Sequence, residues 1–243
     1  MNIKSNHHIK AVFFDLDGTL RHSVPEGAQV FDEYLISLGH RLTEEARHRA
    51  MRWEYLYWAN SADLRDDLLA HSADTDNFWI EYSRRRLIAV GLSPASAKGL
   101  APEISAHMGE MYKPESIVPE DVRRLLPALK GAGYILAVIS NREKPFHEVL
   151  ARHNLSEFFH FSLAAGEVDI YKPEPGVFKH ALDRANLTPQ ETVYVGDNYF
   201  ADVVGSRRAG LHPVLYDPNG TFPEADCTTI KSFDELESVV KAL

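Results

Sequence analysis

The chain has 243 residues, of which 44% are apolar and 25% are charged, with a formal net charge of −9 and a single cysteine, Cys227. This length allows one large domain or a core with an inserted second domain, and this composition excludes a disordered chain. The negative charge argues against duplex nucleic acid or an anionic membrane as the main partner, and one cysteine excludes an intramolecular disulfide and a cysteine-rich zinc site.

The N-terminal stretch Met1–Lys10 is polar and lacks the apolar core of a signal peptide. No apolar stretch elsewhere in the sequence is long enough to span a bilayer. We therefore expect a cytoplasmic protein, a monomer or a homodimer, with no membrane or nucleic-acid partner.

The first predicted element is a buried strand at Ala11–Phe14, which runs into Asp15, Asp17 and Gly18. Alternation along an extended chain points the two carboxylates roughly the same way, and the glycine permits a sharp turn and a close backbone approach to a ligand. In an open α/β sheet, ligands bind at the carboxyl ends of the strands. One carboxylate of such a pair can attack a phosphorus atom while the other moves protons.

Helical patterns dominate the next part of the chain, and no strand is predicted in Val24–Tyr112. This pattern indicates a helical insertion after the first strand. A further helix with apolar residues from Val122 to Leu129 returns the chain to the core, and Pro127 is expected to kink this helix or to mark its real start. The helices predicted within the insertion are Val30–Leu38, Thr43–Asn60 and Asp76–Val90, a fourth beginning at Ser93-Pro94 and a fifth restarting at Pro102.

Strands and helices alternate from Tyr134 onward. Repeated βα units with short connections predict a parallel sheet covered by helices on both faces, which is an α/β fold. The predicted strands are Tyr134–Ile139, Phe161–Ala165, Thr192–Val195, Pro213–Tyr216 and Thr228–Ile230, and the predicted helices are Pro145–His153, Pro175–Ala185, Ala201–Ala209 and a last one capped by Ser232.

Polar residues recur at the ends of these later strands or in the loops that follow them. Ser140-Asn141 ends one strand, Lys172-Pro173 lies in a later loop, and Gly196-Asp197 ends another strand, with Asp202 five residues after Asp197. In this order after the DxDGT run that begins at Asp15, these residues resemble the four motifs of the haloacid dehalogenase superfamily: DxDGT, a Ser/Thr, a Lys and an acidic pair.

This resemblance implies a Rossmann-like core of three layers, α/β/α, around the parallel sheet. It also implies an α-helical cap domain that is inserted between the first and second motifs and hinged over the active site. We therefore expect the core at residues 1–21 and 115–243, and the cap at residues 22–114.

The resemblance further implies a phosphatase that acts through an aspartyl-phosphate intermediate. Asp15 would attack the phosphorus atom, and Asp17 would protonate the leaving oxygen and then activate water for hydrolysis of the intermediate. Thr19 would support Asp17 or close the loop by hydrogen bonding. The expected substrate is a small phosphorylated metabolite, whose identity the cap sequence does not reveal.

Carboxylates that face a dianionic phosphate repel it, so a divalent cation is required, and oxygen ligands beside a phosphate indicate Mg²⁺. By resemblance, the metal ligands are the Asp15 carboxylate, the Asp17 backbone carbonyl and Asp197. Asp202 is expected to orient Lys172 or a metal-bound water. The expected phosphate-binding groups are Ser140, the Asn141 amide and Lys172.

Three other groups of residues have a structural and a functional interpretation. The aromatic residues of 53–58 and 78–82 fall at helical spacing, which favours packing between cap helices over a ligand platform. The arginine run Arg84-Arg85-Arg86 is interpreted as part of a solvent-exposed helix face rather than as an anion-binding site. Relatives often carry an acidic residue at the position of His22, so Arg21-His22 would make the hinge less acidic and favour a more anionic substrate, although a plain hinge role is the stronger expectation.

Three alternatives to a phosphatase stay open. A haloacid dehalogenase of the same fold releases halide and needs neither a proton donor nor a metal, so Asp17 and the acidic pair argue against it. The motifs do not exclude a phosphomutase, which returns the phosphoryl group to a sugar. A non-catalytic binding or regulatory module has no need of all four motifs, and fold alone does not decide among these functions.

Overall fold

The computed structural model describes residues 8–243, so residues 1–7, most of the polar N-terminal stretch, lie outside the described residues. The strands are β1 Ala11–Phe14, β2 His22–Val24, β3 Glu115–Ile117, β4 Ile135–Ser140, β5 Phe161–Ala164, β6 Thr192–Gly196, β7 His212–Tyr216 and β8 Thr228–Ile230. The α-helices are α1 Gly27–Ser37, α2 Glu44–Trp58, α3 Ala62–Ala70, α4 Thr75–Val90, α5 Pro94–Met111, α6 Glu120–Gly131, α7 His147–Arg152, α8 Pro175–Ala185, α9 Val204–Arg208 and α10 Leu236–Ala242.

Six strands form one sheet in the order β5-β4-β1-β6-β7-β8, and every neighbouring pair is parallel. β1 lies in the middle of this sheet, where Phe14 pairs with Val138 on one side and Val195 on the other. The predicted α/β fold with a parallel sheet is confirmed. Because the strand order reverses direction at β1, the crevice beyond its carboxyl end is where a ligand is expected.

Successive residues of β1 face two different hydrophobic cores, because side chains alternate across a strand. Val12 and Phe14 pack into a core that includes residues of α6 and α10, whereas Ala11 and Phe13 pack into a core that includes residues of α8. All four side chains are fully buried. The sheet is therefore the middle layer of three, α/β/α, and β1 is held from both faces.

The chain divides into two compact units: one contains the described residues up to His22 together with Ile117–Leu243, and the other is Ser23–Ser116. The first unit holds the six-stranded sheet. β2 and β3 form a separate two-stranded sheet at the two points where the chain passes between the units. Neither of these short strands was expected, because three-residue strands carry too little periodicity to be recognised in a sequence.

The second unit is helical and contains α1 to α5. The expectation that Pro102 starts a new helix is wrong, because α5 runs through Pro102 without a break. Pro102 lies on an exposed face, and so does Lys98, whose carbonyl loses its helical partner at this proline. Water can satisfy that carbonyl, which is why the helix tolerates the proline. Pro127 lies inside α6 in the same way, on an exposed face, and does not mark the start of that helix.

Helix α3 was not expected, although the sequence contains a signal for it. The Ser61 hydroxyl caps this helix by accepting a hydrogen bond from the Leu64 backbone N–H at 3.1 Å. A serine before a short apolar pattern is a typical helix start. In this helix Leu64 is buried, but Leu68 and Leu69 are exposed. The apolar residues therefore do not form the continuous stripe from which a sequence predicts an amphipathic helix.

The aromatic residues of the second unit pack against one another, as expected. The Trp53 ring lies 5.1 Å from the Tyr57 ring and 5.6 Å from the Tyr82 ring, measured between ring centroids. These residues come from α2 and α4, so the aromatic cluster joins the two helices.

The expectation of a solvated arginine face is wrong for Arg86, which is 2% exposed. Its Nη1 atom donates to Asp32 Oδ1 at 2.8 Å, its Nε atom lies 3.5 Å from Glu54 Oε2, and its guanidinium carbon lies 4.2 Å from the centre of the Phe31 ring. A buried guanidinium is strongly unfavourable without such partners. Arg86 therefore forms an internal ion pair with Asp32 in the second unit and is not a surface charge.

Among the described residues, no helix is both long and apolar enough to cross a membrane.

Candidate active site

The predicted site residues of the first unit meet at the carboxyl edge of the six-stranded sheet. Asp15 directly follows β1, Ser140 is the last residue of β4, and Asp197 directly follows β6. The Asp15 backbone N–H donates to the Val195 carbonyl at 2.9 Å, so the backbone hydrogen bonds between β1 and β6 extend as far as Asp15. The polar residues at this edge therefore start from a rigid backbone.

Lys172 is the centre of the site, and the residue is buried, with 2% of its surface exposed. Its ammonium group donates to Asp15 Oδ1 at 2.6 Å and to Asp202 Oδ1 at 2.7 Å. Burial lowers the pKa of Lys172, but the two carboxylates outweigh this effect and hold the pKa well above its ordinary value. Lys172 is therefore a permanent positive charge between two carboxylates.

Two further residues hold Lys172 in place. The Tyr194 hydroxyl lies 3.1 Å from the Lys172 ammonium and donates to the Ile139 carbonyl at 3.1 Å, so it accepts the third ammonium hydrogen bond. The Asn141 side chain donates to the Lys172 carbonyl at 2.9 Å and accepts from the Lys172 N–H at 2.7 Å. This pair of bonds uses the Asn141 side-chain amide to position Lys172, which leaves the backbone N–H as the candidate donor to a phosphoryl oxygen.

Asp197 is held by the loop that carries the first motif. The Thr19 hydroxyl donates to Asp197 Oδ1 at 2.9 Å and accepts from the Asp197 N–H at 3.0 Å. Thr19 thus closes the loop by bonding Asp197 rather than by supporting Asp17. Gly18 has a φ of +88°, and a Cβ atom on it would lie 2.3 Å from Asp197 Oδ2. Only glycine satisfies both the backbone conformation and this close approach.

Asp202 is fully buried, and its second oxygen, Oδ2, accepts from the Asn198 N–H at 2.9 Å. The chain between these residues forms a wide helical turn, Tyr199–Val203, just before α9. A Cβ atom on Gly196 would lie 2.2 Å from Asp202 Oδ2, so this glycine gives the carboxylate room to reach Lys172. Such wide turns are rare and are frequent at functional sites.

Three carboxylates gather here with one ammonium group to neutralise them. Asp15, Asp197 and Asp202 each offer one oxygen, and these oxygens lie within 4.8 Å of one another. Burial raises the pKa of Asp15 to about 7, against the opposing charge of Lys172, and burial together with the charges of Asp15 and Asp202 raises the pKa of Asp197 well above its ordinary value. An all-oxygen donor set with excess negative charge fits a hard divalent cation.

Asp17 lies in a different environment from Asp15. Its carboxylate accepts from Arg142 Nε at 2.7 Å and from Arg142 Nη2 at 2.9 Å, and Arg21 contacts the same carboxylate. Burial raises the pKa of Asp17, but the hydrogen bonds and charges of Arg142 and Arg21 outweigh it and hold the pKa below its ordinary value. The Asp17 side chain is 37% exposed and that of Asp15 is 9% exposed, so Asp17 is the more accessible of the two carboxylates.

Two of these partners were not predicted from the sequence. Arg142 follows Ser140-Asn141 at the end of β4, so its position at the sheet edge was a usable signal, but its bond to Asp17 joins residues 125 positions apart. Tyr194 lies inside β6, and from the sequence it had no assigned role beyond its place in that predicted strand. Its hydroxyl instead reaches Lys172.

Comparison with known proteins identifies relatives along most of the chain. The family model described as haloacid dehalogenase-like hydrolase matches residues 9–210. A phosphoglycolate phosphatase of Vibrio cholerae is 30% identical over 208 residues, which cover 84% of this chain and 82% of the relative. A phosphoserine phosphatase of Thermus thermophilus is 30% identical over 238 residues, covering 89% and 91%. The crystal structure of a 2-haloacid dehalogenase from Pseudomonas syringae pv. Tomato superimposes with a TM-score of 0.56 at 25% identity and covers 96% of this chain and 99% of that chain.

The geometry at Gly18 predicts the effect of one added methyl group. Gly18→Ala should destabilise the protein by about 1–2 kcal/mol through its positive φ and should also displace Asp197, lowering hydrolysis of p-nitrophenyl phosphate by about tenfold or more. Gly133→Ala is the matched control, because Gly133 also has a φ of +88° but no atom within 4 Å of its Cβ position. Equal kinetic effects of the two variants, measured with urea unfolding in parallel, would contradict this account.

Proposed function

We propose that this chain, which belongs to the haloacid dehalogenase-like hydrolase family, is a Mg²⁺-dependent phosphatase of small phosphorylated metabolites. The observation that carries the proposal is the pair of carboxylates at the end of β1. Asp15 is buried beside the Lys172 ammonium, and the Asp17 side chain is the more exposed of the two. Hydrolysis of a phosphate ester through a covalent intermediate requires a nucleophile and a second group that carries protons, and these two carboxylates supply one of each.

In the first step, Asp15 attacks the phosphorus atom and forms an aspartyl-phosphate, and the bond from phosphorus to the ester oxygen breaks. Lys172 holds one oxygen of Asp15 and supplies positive charge for the phosphoryl group. The leaving oxygen takes a proton from Asp17 and departs as an alcohol. Ser140 and the backbone N–H of Asn141 follow β4 at the same edge and are proposed as hydrogen-bond donors to the phosphoryl oxygens.

In the second step, Asp17 takes a proton from water, whose oxygen attacks the phosphorus atom of the intermediate. The acyl-phosphate bond breaks, and Asp15 returns to its carboxylate form as inorganic phosphate is released. Asp17 is thereby protonated again for the next cycle. Arg142 and Arg21 lower the pKa of Asp17, which favours the carboxylate that acts as the base in this step. The same lowered pKa makes the protonated Asp17 left by this step a strong proton donor for the leaving oxygen of the next substrate.

The proposed metal ligands are Asp15, the backbone carbonyl of Asp17 and Asp197. When bound there, Mg²⁺ neutralises the charge of the carboxylates and of the phosphoryl group, so the dianion can approach the nucleophile. The oxygens of Asp15, Asp197 and Asp202 lie close enough together to support a cation site. Asp202 is assigned to orienting Lys172, because Asp202 Oδ1 already accepts the lysine hydrogen bond and Oδ2 already accepts the Asn198 N–H.

Dehalogenation is the second candidate reaction, since a 2-haloacid dehalogenase shares the fold. Release of halide needs no proton donor, so a carboxylate held by two arginines at position 17 has no task in that reaction. Both phosphatase relatives match this chain at 30% identity over more than four fifths of its length. These observations favour phosphate-ester hydrolysis.

The first prediction concerns Asp15 and the metal. Purified protein should hydrolyse p-nitrophenyl phosphate with Mg²⁺, and EDTA should abolish this activity until Mg²⁺ is restored. Asp15→Asn should lower turnover by at least about 10³-fold, because no other group can form the intermediate. Asp183→Asn, an exposed residue of α8, makes the same change of charge away from the site and should leave turnover unchanged. Full activity of folded Asp15→Asn, or activity that EDTA leaves intact, would refute the assignment.

The second prediction separates the role of Asp17 from that of Asp15. Asp17→Asn should slow turnover of alkyl phosphates by about 10²-fold or more, because their leaving oxygen needs a proton. The loss should be smaller for p-nitrophenyl phosphate, whose leaving group is stable as an anion. The measurement is kcat for the wild type and the variant across a series of esters ordered by leaving-group pKa. A loss that is the same along the series would argue against proton transfer.

The third prediction concerns residues 22–114, to which we assign the role of the cap that the resemblance implies. A cap restricts an active site to small substrates and excludes water during the reaction. Small phosphate esters should therefore have a kcat/KM far above that of a phosphorylated protein such as casein, assayed by phosphate release under the same conditions. A phosphoprotein that proves to be the best substrate would show that this part of the chain does not limit access.

A further inference from the structure

A cleft beside the proposed active site has no role in the mechanism described so far. It has a volume of about 540 Å³ and is lined by residues 142–149 and Arg152, all in the first unit. Arg142, Lys144 and Arg152 bring three positive charges to it, and Glu143 and Glu148 bring two negative ones. The lining side chains thus carry three positive and two negative formal charges, and this positive excess suits an anionic ligand.

Arg142 belongs to both this cleft and the active site. Two of its nitrogen atoms, Nε and Nη2, donate to the two oxygens of Asp17. A guanidinium has five N–H donors, and these two bonds use one edge of the group. Its third nitrogen, Nη1, donates to no group of the described residues, and 34% of the side chain is exposed. A second edge of the guanidinium, formed by Nη1 and Nη2, therefore remains available to a ligand.

The mechanism fixes where the leaving part of a substrate lies relative to Arg142. Asp17 must reach the ester oxygen within hydrogen-bond distance to protonate it, at roughly 2.6–3.2 Å. The Arg142 guanidinium contacts both oxygens of the Asp17 carboxylate, Oδ2 at 2.7 Å and Oδ1 at 2.9 Å. A group one or two carbons from the ester oxygen is thus within reach of the open edge of Arg142.

We infer that Arg142 binds a carboxylate on the alcohol portion of the substrate, so the preferred substrates are phosphate esters with a carboxylate one or two carbons from the ester oxygen. This inference rests on the proposed phosphatase function and narrows its substrate class. The planar fork of an arginine matches the two oxygens of a carboxylate, and the bond to Asp17 shows the same fork already in use. The substrate carboxylate and the acid–base residue would then share one guanidinium, which aligns the leaving oxygen with Asp17.

The test compares esters that differ only in the carboxylate. O-phosphoserine is paired with phosphoethanolamine, and 3-phosphoglycerate with glycerol 3-phosphate. The wild type should show a kcat/KM about tenfold or more higher for the carboxylated member of at least one pair. Arg142→Ala should reduce that preference by about 10- to 100-fold, the effect of losing a charged two-point hydrogen bond. Arg142→Lys keeps the charge but not the fork and should retain only part of the preference.

Arg124→Ala is the matched control, because Arg124 is an exposed arginine of the same unit that is also paired with one aspartate, Asp234. It should leave the preference unchanged. A wild-type enzyme that hydrolyses p-nitrophenyl phosphate but does not distinguish the paired esters would overturn the inference while leaving the phosphatase proposal intact. An Arg142→Ala variant that slows both members of a pair equally would also overturn it, since Arg142 would then act only by positioning Asp17. Failure of the wild type to hydrolyse any of these esters with Mg²⁺ would overturn both proposals.

Discussion

The buried ammonium of Lys172 constrains the whole site. An unpaired buried charge is strongly unfavourable, so Lys172 requires carboxylates at contact distance, and Asp15 and Asp202 meet this requirement at 2.6 and 2.7 Å. Asp15 directly follows β1, Asp202 lies in the wide turn before α9, and Lys172 lies in the loop that precedes α8. Tyr194 and Asn141 fix the same lysine from β6 and from the end of β4. One charge thus ties together the ends of the three central strands, and the proposed hydrolytic chemistry is arranged around it.

Close backbone approach is what allows several carboxylates to gather around this lysine. Gly18 and Gly196 each leave no room for a Cβ atom, because Asp197 and Asp202 occupy that space. This packing concentrates more negative charge than Lys172 neutralises. The pKa values of Asp15 and of Asp197 are raised as a result, and burial is the largest cause of both shifts. A divalent cation with oxygen ligands would relieve this excess, so the glycines and the proposed metal dependence have one physical origin.

The two aspartates of the first motif have opposite electrostatic environments, although only one residue separates them. Burial raises the pKa of Asp15, whereas the arginines around Asp17 lower its pKa in spite of partial burial. Environments that push the pKa values of two carboxyls apart are a mark of divided roles in catalysis. Arg142 extends this division outward, since the guanidinium that holds Asp17 also lines the adjoining cleft.

Local patterns were sufficient to predict the parallel α/β sheet, its strands and the order of the motifs, because apolar runs such as Ala11–Phe14 and helix signals such as Pro175 act over a few residues. The continuous helix through Pro102 and the burial of Arg86 were not predictable in this way, since each depends on which face of a helix meets another element. The same holds for the arginines on Asp17 and for the tyrosine on Lys172. The sequence by itself determined which chemical groups stand at the strand ends, and the tertiary structure alone decided which groups pair, because pairing depends on distances between residues far apart in the chain.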